Sequence, residues 1–314
     1  MSTKQSKQWS VARLVLIGLL LFTVIGSVAF WKFWYRLPVG EGPAGAQLPG
    51  GEFQAVWRDK PVLLVGLGDS ITAGLGARDG WGYFDRIITN PTGDWSDVQG
   101  LNLSVVLPQL SYTNLAMSGS TSLEHERRQI PRIPATDSNT LGIVVMTTGG
   151  NDLIHNYGKT PPREGAMFGA TWEQAQPWIA NYAERLNRML DAINERFPGG
   201  CEVFLADIYD PTDGTGSARR VGMPPWPDGM QIHAAYNKIL HEAARQRPNV
   251  HLVPLHKTFL GHGLTCRRFW RSTYRSEDAN YWYWVNLEDP NERGYDAIRR
   301  VFLGTMIEAR AALQ

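Results

Sequence analysis

Cysteine is scarce in this chain. Of 314 residues only Cys201 and Cys266 carry a thiol, with no CxxC pair and no Cys/His cluster at zinc-ligand spacing. Neither a disulfide framework nor a structural zinc therefore organises the fold. One disulfide would still be possible, but Cys201 precedes a predicted strand and Cys266 follows the next one, on opposite edges of a parallel sheet, so two free thiols are expected. Charge of one sign is also missing: 31 Lys plus Arg stand against 30 Asp plus Glu, a net charge of +1. Without a basic field a nucleic-acid partner is not expected. Hydrophobic residues make up 43% and charged residues 19%, enough apolar mass for a sizeable core and too much for a disordered chain.

What the chain does have begins at its N-terminus. Leu14 to Trp31 (LVLIGLLLFTVIGSVAFW) runs 18 residues without a charge, close to the roughly 20 a helix needs to cross a bilayer. Lys4, Lys7 and Arg13 precede it, and Trp31, Phe33, Trp34 and Tyr35 follow where interfacial rings usually lie. This predicts an uncleaved single-pass signal anchor with a cytoplasmic N-terminus and the remainder exported to the periplasm or exterior. A cleaved signal peptide is the competing reading, since Ser27 and Ala29 are small residues at the spacing a signal peptidase reads. The following LPVGEGPAGAQLPGG is rich in Gly and Pro and predicts a flexible tether. The chain thus divides into a cytoplasmic N-terminus (1–13), a transmembrane anchor (14–31), a tether (32–60) and an exported domain (61–314).

Within that domain, short apolar runs alternate with helical patterns. Strands are predicted at Val62 to Leu67, Tyr112 to Leu115, Gly142 to Thr147, Glu202 to Ala206 and His251 to Leu255. Apolar residues recur with helical spacing from Ile179 to Ile193 and from Ile232 to Ala243, stopped by Pro198-Gly199-Gly200 and by Pro248. A last helix is predicted from about Glu292 to Ala312. The alternation implies an α/β fold with a parallel sheet, whose ligand sites lie beyond the carboxyl ends of the strands.

Three of those ends carry small polar turns: Gly68-Asp69-Ser70, Ala116-Met117-Ser118-Gly119 and Gly149-Gly150-Asn151-Asp152. On one edge of a sheet they bring a Ser hydroxyl together with backbone N–H groups and an Asn amide, a set suited to acyl transfer through a serine nucleophile and an oxyanion hole. Other glycine-rich chemistries fail on residues. A dinucleotide loop starting at Gly66 would need glycine at Ile71, a P-loop would need a Gly-Lys pair after this turn, and a G-x-S-x-G elbow would need glycine at Thr72.

The blocks Gly68-Asp69-Ser70-Ile71-Thr72-Ala73-Gly74, Asn114-Leu115-Ala116-Met117-Ser118-Gly119 and Gly149-Gly150-Asn151-Asp152 resemble those of the SGNH, or GDSL-type, hydrolase family. The resemblance spans most of residues 60 to 310. It implies a flavodoxin-like three-layer fold, no cofactor, Ser70 as nucleophile, and an oxyanion hole made of the Ser70 and Gly119 N–H groups and the Asn151 side chain. The implied activity is hydrolysis of acyl esters of lipids or glycans.

The pattern breaks at its last block. Where the family carries Asp-x-x-His-Pro-Asn, this chain reads Asn286-Leu287-Glu288-Asp289-Pro290-Asn291, with Asp289 at the histidine position and Asn286 at the aspartate position. Two residues are candidates for the missing base: His262, between Gly261 and Gly263 beyond the fifth strand, and Asp289 itself. Imidazole is better matched to neutral pH, which favours His262. If neither serves, the domain is a non-catalytic binding module for envelope carbohydrate or lipid. His256 lies near a strand end and is expected to pack against the sheet; His125, His155, His233, His241 and His251 carry no motif. The Gly/Pro-rich Asp210 to Gly229 is expected to wall the site. Tyr281-Trp282-Tyr283-Trp284 is expected to serve ordinary core packing, with a substrate groove as the alternative.

Overall fold

The structure, a computed structural model, describes residues 2–314, with side-chain surroundings from Val11 onward. Five strands, β1 (Val62–Leu67), β2 (Leu110–Asn114), β3 (Leu141–Met146), β4 (Cys201–Ala206) and β5 (Val250–Val253), form one sheet in the order β2-β1-β3-β4-β5. Every pairing is parallel, with Val62 of β1 beside Leu110 on one side and Leu141 on the other. The central strands β1 and β3 are buried at every residue, which is why each reads as an unbroken apolar run.

Side chains alternate between two cores, giving three layers. Leu64, Ile143, Val145 and Phe204 face the helices Tyr83–Ile88 and Glu292–Glu308. Leu63, Val65, Val144, Val203 and Leu205 face the long helices Trp172–Glu195 and Gly229–Gln246. Thr171 opens the first of these with a reciprocal capping box to Gln174. Both cysteines are buried and unpaired, as expected, and burial pushes the Cys266 thiol up to about 12.

Val11 to Tyr35 is long and apolar enough to cross a membrane, and none of it is buried in the protein. The segment after it differs from a free tether. Ala44 is buried, and its N–H donates to Asp296 Oδ2 at 2.9 Å. Arg293 donates to the carbonyls of Val39, Gly42 and Pro43 at 3.0 to 3.1 Å. Composition alone offers no periodicity there, so only the inward-facing polar side chains of the last helix reveal the docking.

Those side chains belong to a buried ionic cluster. Arg86, Arg299 and Arg300 are at most 2% exposed and share Asp94 and Asp296: Arg86 reaches Asp94 at 2.6 Å and Asp296 at 3.1 Å, and Arg300 reaches Asp296 at 3.1 Å. Arg299 contacts both carboxylates. Removing one partner of such a cluster leaves uncompensated buried charge, at a cost of about 3–5 kcal/mol. Asp296→Ala is therefore expected to lower the denaturation midpoint by that equivalent and to loosen residues 38–46; an unchanged midpoint would contradict the cluster's role.

Candidate active site

Ser70 opens the short helix Ser70–Ala73 directly after β1. Asp69 caps it, its Oδ1 accepting the Ile71 N–H at 3.1 Å and the Thr147 hydroxyl at 2.9 Å. The turn is possible because residue 68 is glycine: its φ is +135°, and a Cβ would lie 2.3 Å from Thr147 Oγ1. A buried polar network fixes the same turn. Gln129 Nε2 donates to the Gly68 carbonyl at 2.7 Å while its Oε1 accepts the Gly68 N–H at 2.8 Å. The Ser120 hydroxyl also donates to Gly68 O, and it contacts His125 Nε2 at 2.9 Å. Burial lowers the His125 pKa to about 3, so the ring is neutral and bridges Ser120 to Thr148. The sequence reading missed this role of His125 and Gln129, because nothing in their spacing links them to the nucleophile turn.

Ser70 and Asn151 line one cleft of about 1210 Å³, its open mouth included. Asn151 lies on the short helix Gly150–Ile154 after β3, and its Nδ2 donates to Ser120 O at 3.0 Å, which fixes the amide beside the second block. Gly119 is exposed, with φ +79°, and is not among the residues that line the cleft. Among the described residues, the N–H groups of Ser70 and Gly119 have no hydrogen-bond partner in the protein. Two free N–H groups and an oriented amide are what an oxyanion site requires.

The last block reaches the same place. Asn286 Nδ2 donates to Asp289 Oδ2 at 2.5 Å, and Asn286 Oδ1 accepts the Asp289 N–H at 3.2 Å. Asp289 Oδ1 is buried and has no hydrogen-bond partner, and Ser70 lies close enough to this carboxylate to favour its ionised form. Burial raises the Asp289 pKa above the ordinary carboxylate range, against the smaller opposing effects of nearby Ser70 and of the Asn286 hydrogen bond. The paired change from the family pattern is self-consistent. An imidazole needs an acceptor behind it, whereas a carboxylate needs a donor, and Asn286 supplies an N–H where Asp would add like charge. The i–3 spacing of Asn286 was the available signal for this role. Leu287 between them takes φ +72°, a strained value for a non-glycine residue beside the site.

His262 is not brought to Ser70. Its ring stacks on Trp282 at 3.4 Å, Nδ1 donates to Asn280 O at 3.1 Å, and burial lowers its pKa to about 4. His262 is buried, stacked on Trp282, and is not among the residues that line the cleft. His233 is the histidine that lines the cleft, but its Nε2 is engaged by Ile208 O at 2.9 Å.

The cleft's walls are largely apolar, with Leu153, Ile154, Phe168, Ile208 and Leu287 among them. The 210–229 loop contributes Pro211, Met223, Pro224 and Trp226, as its composition suggested. Tyr281, Trp282 and Tyr283 are buried in the core, whereas Trp284 is exposed. Asp69, Asp207, Asp210 and Glu288 also line the cleft, and two of them are perturbed. Burial pushes Asp69 up to about 6, with a smaller contribution from the charge of Asp289. Burial, then the charges of Asp289 and Asp69, push Glu288 up to about 7.

Serine, oriented amide, free N–H pair and carboxylate near the carboxyl edge of a parallel sheet are the kinds of group that acyl-ester hydrolysis uses. Residues 67–297 match the model of the GDSL-like lipase/acylhydrolase family, and the chain belongs to that family as an ester-hydrolysing enzyme. Solved structures similar to it include an extracellular lipase from Streptomyces rimosus, 19% identical over 78% of this chain and 99% of the other, TM-score 0.49. An acetylxylan esterase from Geobacillus stearothermophilus, studied as a catalytic mutant, is 14% identical over 79% and 94%, TM-score 0.48. Phospholipase A1 from Streptomyces albidoflavus is 17% identical over 78% and 98%, TM-score 0.46. Comparison with curated proteins returns no match.

Proposed function

We propose that this chain is a membrane-anchored, exported hydrolase of acyl esters of lipids or glycans in which Ser70 is the nucleophile and Asp289, held by Asn286, is the base. The observation that carries the reading is a buried Asp289 carboxylate near Ser70, its Oδ2 held by Asn286 and its Oδ1 unpartnered, with Ser70 lining a largely apolar cleft. Ser70 Oγ attacks the ester carbonyl carbon as its proton passes to Asp289. The carbonyl oxygen becomes an oxyanion facing the Ser70 and Gly119 N–H groups and the Asn151 amide. The C–O bond to the alcohol then breaks, and the alkoxide takes the proton from Asp289. Water then attacks the acyl-serine carbonyl as it gives a proton to the same carboxylate, and that proton passes to Ser70 Oγ as the acyl–oxygen bond breaks, releasing the acid and restoring Ser70 and Asp289.

The apolar walls support an acyl chain in the cleft, and the unburied Val11–Tyr35 helix supports the anchor. Each methylene buried is worth about 0.8 kcal/mol, roughly fourfold in kcat/KM. Across a series of aryl esters kcat/KM is expected to climb by about that factor per methylene until the cleft is filled. Values that peak at acetyl and fall thereafter would contradict an acyl-chain site and favour a glycan acetyl ester.

A further inference from the structure

The loop Leu264 to Arg275 (LTCRRFWRSTYR) holds four arginines and no acid. Phe269 and Trp270 project from it at 60% and 57% exposure. Arg267, Arg268, Arg271 and Arg275 form no ion pair among the described residues, in contrast to the fully paired arginines of the core. Arg271 and Arg275 donate to the carbonyls of Asp213 and Leu260, at 3.2 Å each, but among the described residues no carboxylate neutralises any of the four charges. The loop also has a definite address. Phe33, just past the apolar helix, packs edge-on against Phe269 at 5.7 Å and Trp270 at 6.4 Å, and the Arg268 guanidinium lies 3.6 Å over the Trp34 ring. Arg220 joins the two segments, donating to Leu264 O at 2.9 Å and to the Tyr35 carbonyl. Lys32, Arg36 and Arg219 add positive charge around the same junction.

We infer that this face of the domain is a second membrane contact, in which Phe269 and Trp270 enter the interface and the arginines bind anionic lipid headgroups. Aromatic rings flanked by arginines match the chemistry of an anionic leaflet, with the rings in the acyl boundary and the guanidinium groups on phosphates. The patch is continuous with the apolar helix, so the anchor presents it to the bilayer surface. Arg220 belongs to the 210–229 loop that walls the cleft, and docking would therefore hold that wall at the membrane. This inference rests on the anchor reading only for how the patch is delivered.

The test uses the full chain in vesicles, with an environment-sensitive fluorophore on Ser272→Cys, an exposed position in the loop. Glu195→Cys, at the opposite edge of the sheet, serves as control. The native thiols are buried and do not compete for label. In phosphatidylcholine vesicles containing phosphatidylglycerol, shallow nitroxide lipids are expected to quench residue 272 and spare residue 195. High salt, or the triple variant Arg267→Gln/Arg271→Gln/Arg275→Gln, should abolish the quenching. Loss of about fivefold in partition per basic residue predicts on the order of 10²-fold weaker docking for the triple variant. A label at 272 that stays as water-exposed as 195, on protein that floats with the vesicles, overturns the inference and leaves the anchor standing. Equal quenching in phosphatidylcholine alone, unchanged in the triple variant, overturns it too. Protein that does not float with phosphatidylcholine overturns the anchor instead; the patch then predicts flotation with phosphatidylglycerol vesicles only, and its absence there defeats both.

Discussion

Ser70→Ala is expected to leave no measurable hydrolysis of short-chain aryl esters in a protein whose melting and circular dichroism are unchanged. The neighbouring hydroxyls cannot substitute, because each is committed. Thr72 bonds Tyr83 and Thr147 at 2.8 and 2.9 Å, and Ser120 donates to the Gly68 and Met117 carbonyls. What survives is the oxyanion site and substrate binding, which in other serine hydrolases support only about 10³- to 10⁴-fold over water. The side chain is 8% exposed and loses one oxygen, so no cavity of consequence forms. Undiminished turnover in Ser70→Ala would end the serine mechanism.

Asp289→Asn is expected to lower kcat/KM by about 10²- to 10⁴-fold, the usual contribution of a positioned base. The substitution is isosteric and retains an oxygen for the Asn286 amide, so the loop should persist. His262→Ala, by contrast, should leave turnover of the folded enzyme near wild type, because its ring is stacked in the core away from the cleft. The pH profile carries the same distinction. A base must be ionised, so kcat/KM falls as pH drops through the Asp289 pKa, which burial raises above the ordinary value near 3.9. Burial, then the charges of Asp289 and Asp69, push Glu288 up to about 7, so it titrates within the neutral range of the profile. Glu288→Gln should therefore remove any inflection near 7 and leave the lower limb in place. If that lower limb vanished in Glu288→Gln while Asp289→Asn remained active, the role would pass to Glu288.

Much of the frame was legible in sequence because burial on both faces leaves apolar runs. β1 lies at Val62–Leu67 as read, and β3, β4 and β5 differ by a residue or two at their ends. β2 begins at Leu110, two residues earlier than predicted; it is an edge strand with Tyr112 exposed, so the apolar signal is weaker there. The three strand-end turns were legible for the same reason, since a glycine-rich polar triplet after an apolar run has few other uses. The base was harder. His262 was favoured from its position after the fifth strand, but its loop is long enough to reverse direction, and chain proximity to a strand end does not fix which way a side chain faces. Asn286 and Asp289 stood in the pattern throughout, legible only once the donor and acceptor roles are exchanged together. The docking of residues 38–46 was hidden because its partners, Arg293 and Asp296, read as the solvated charges of an amphipathic helix.

The most direct test of a Ser70 hydroxyl activated by Asp289 is the rate at which a fluorophosphonate phosphonylates the enzyme, with the adduct located by peptide mass spectrometry. A single adduct is expected on Ser70, forming at the wild-type rate in His262→Ala and slower by about 10²-fold or more in Asp289→Asn. An adduct elsewhere, no adduct at all, or a Ser70 adduct slowed in His262→Ala but not in Asp289→Asn would contradict it.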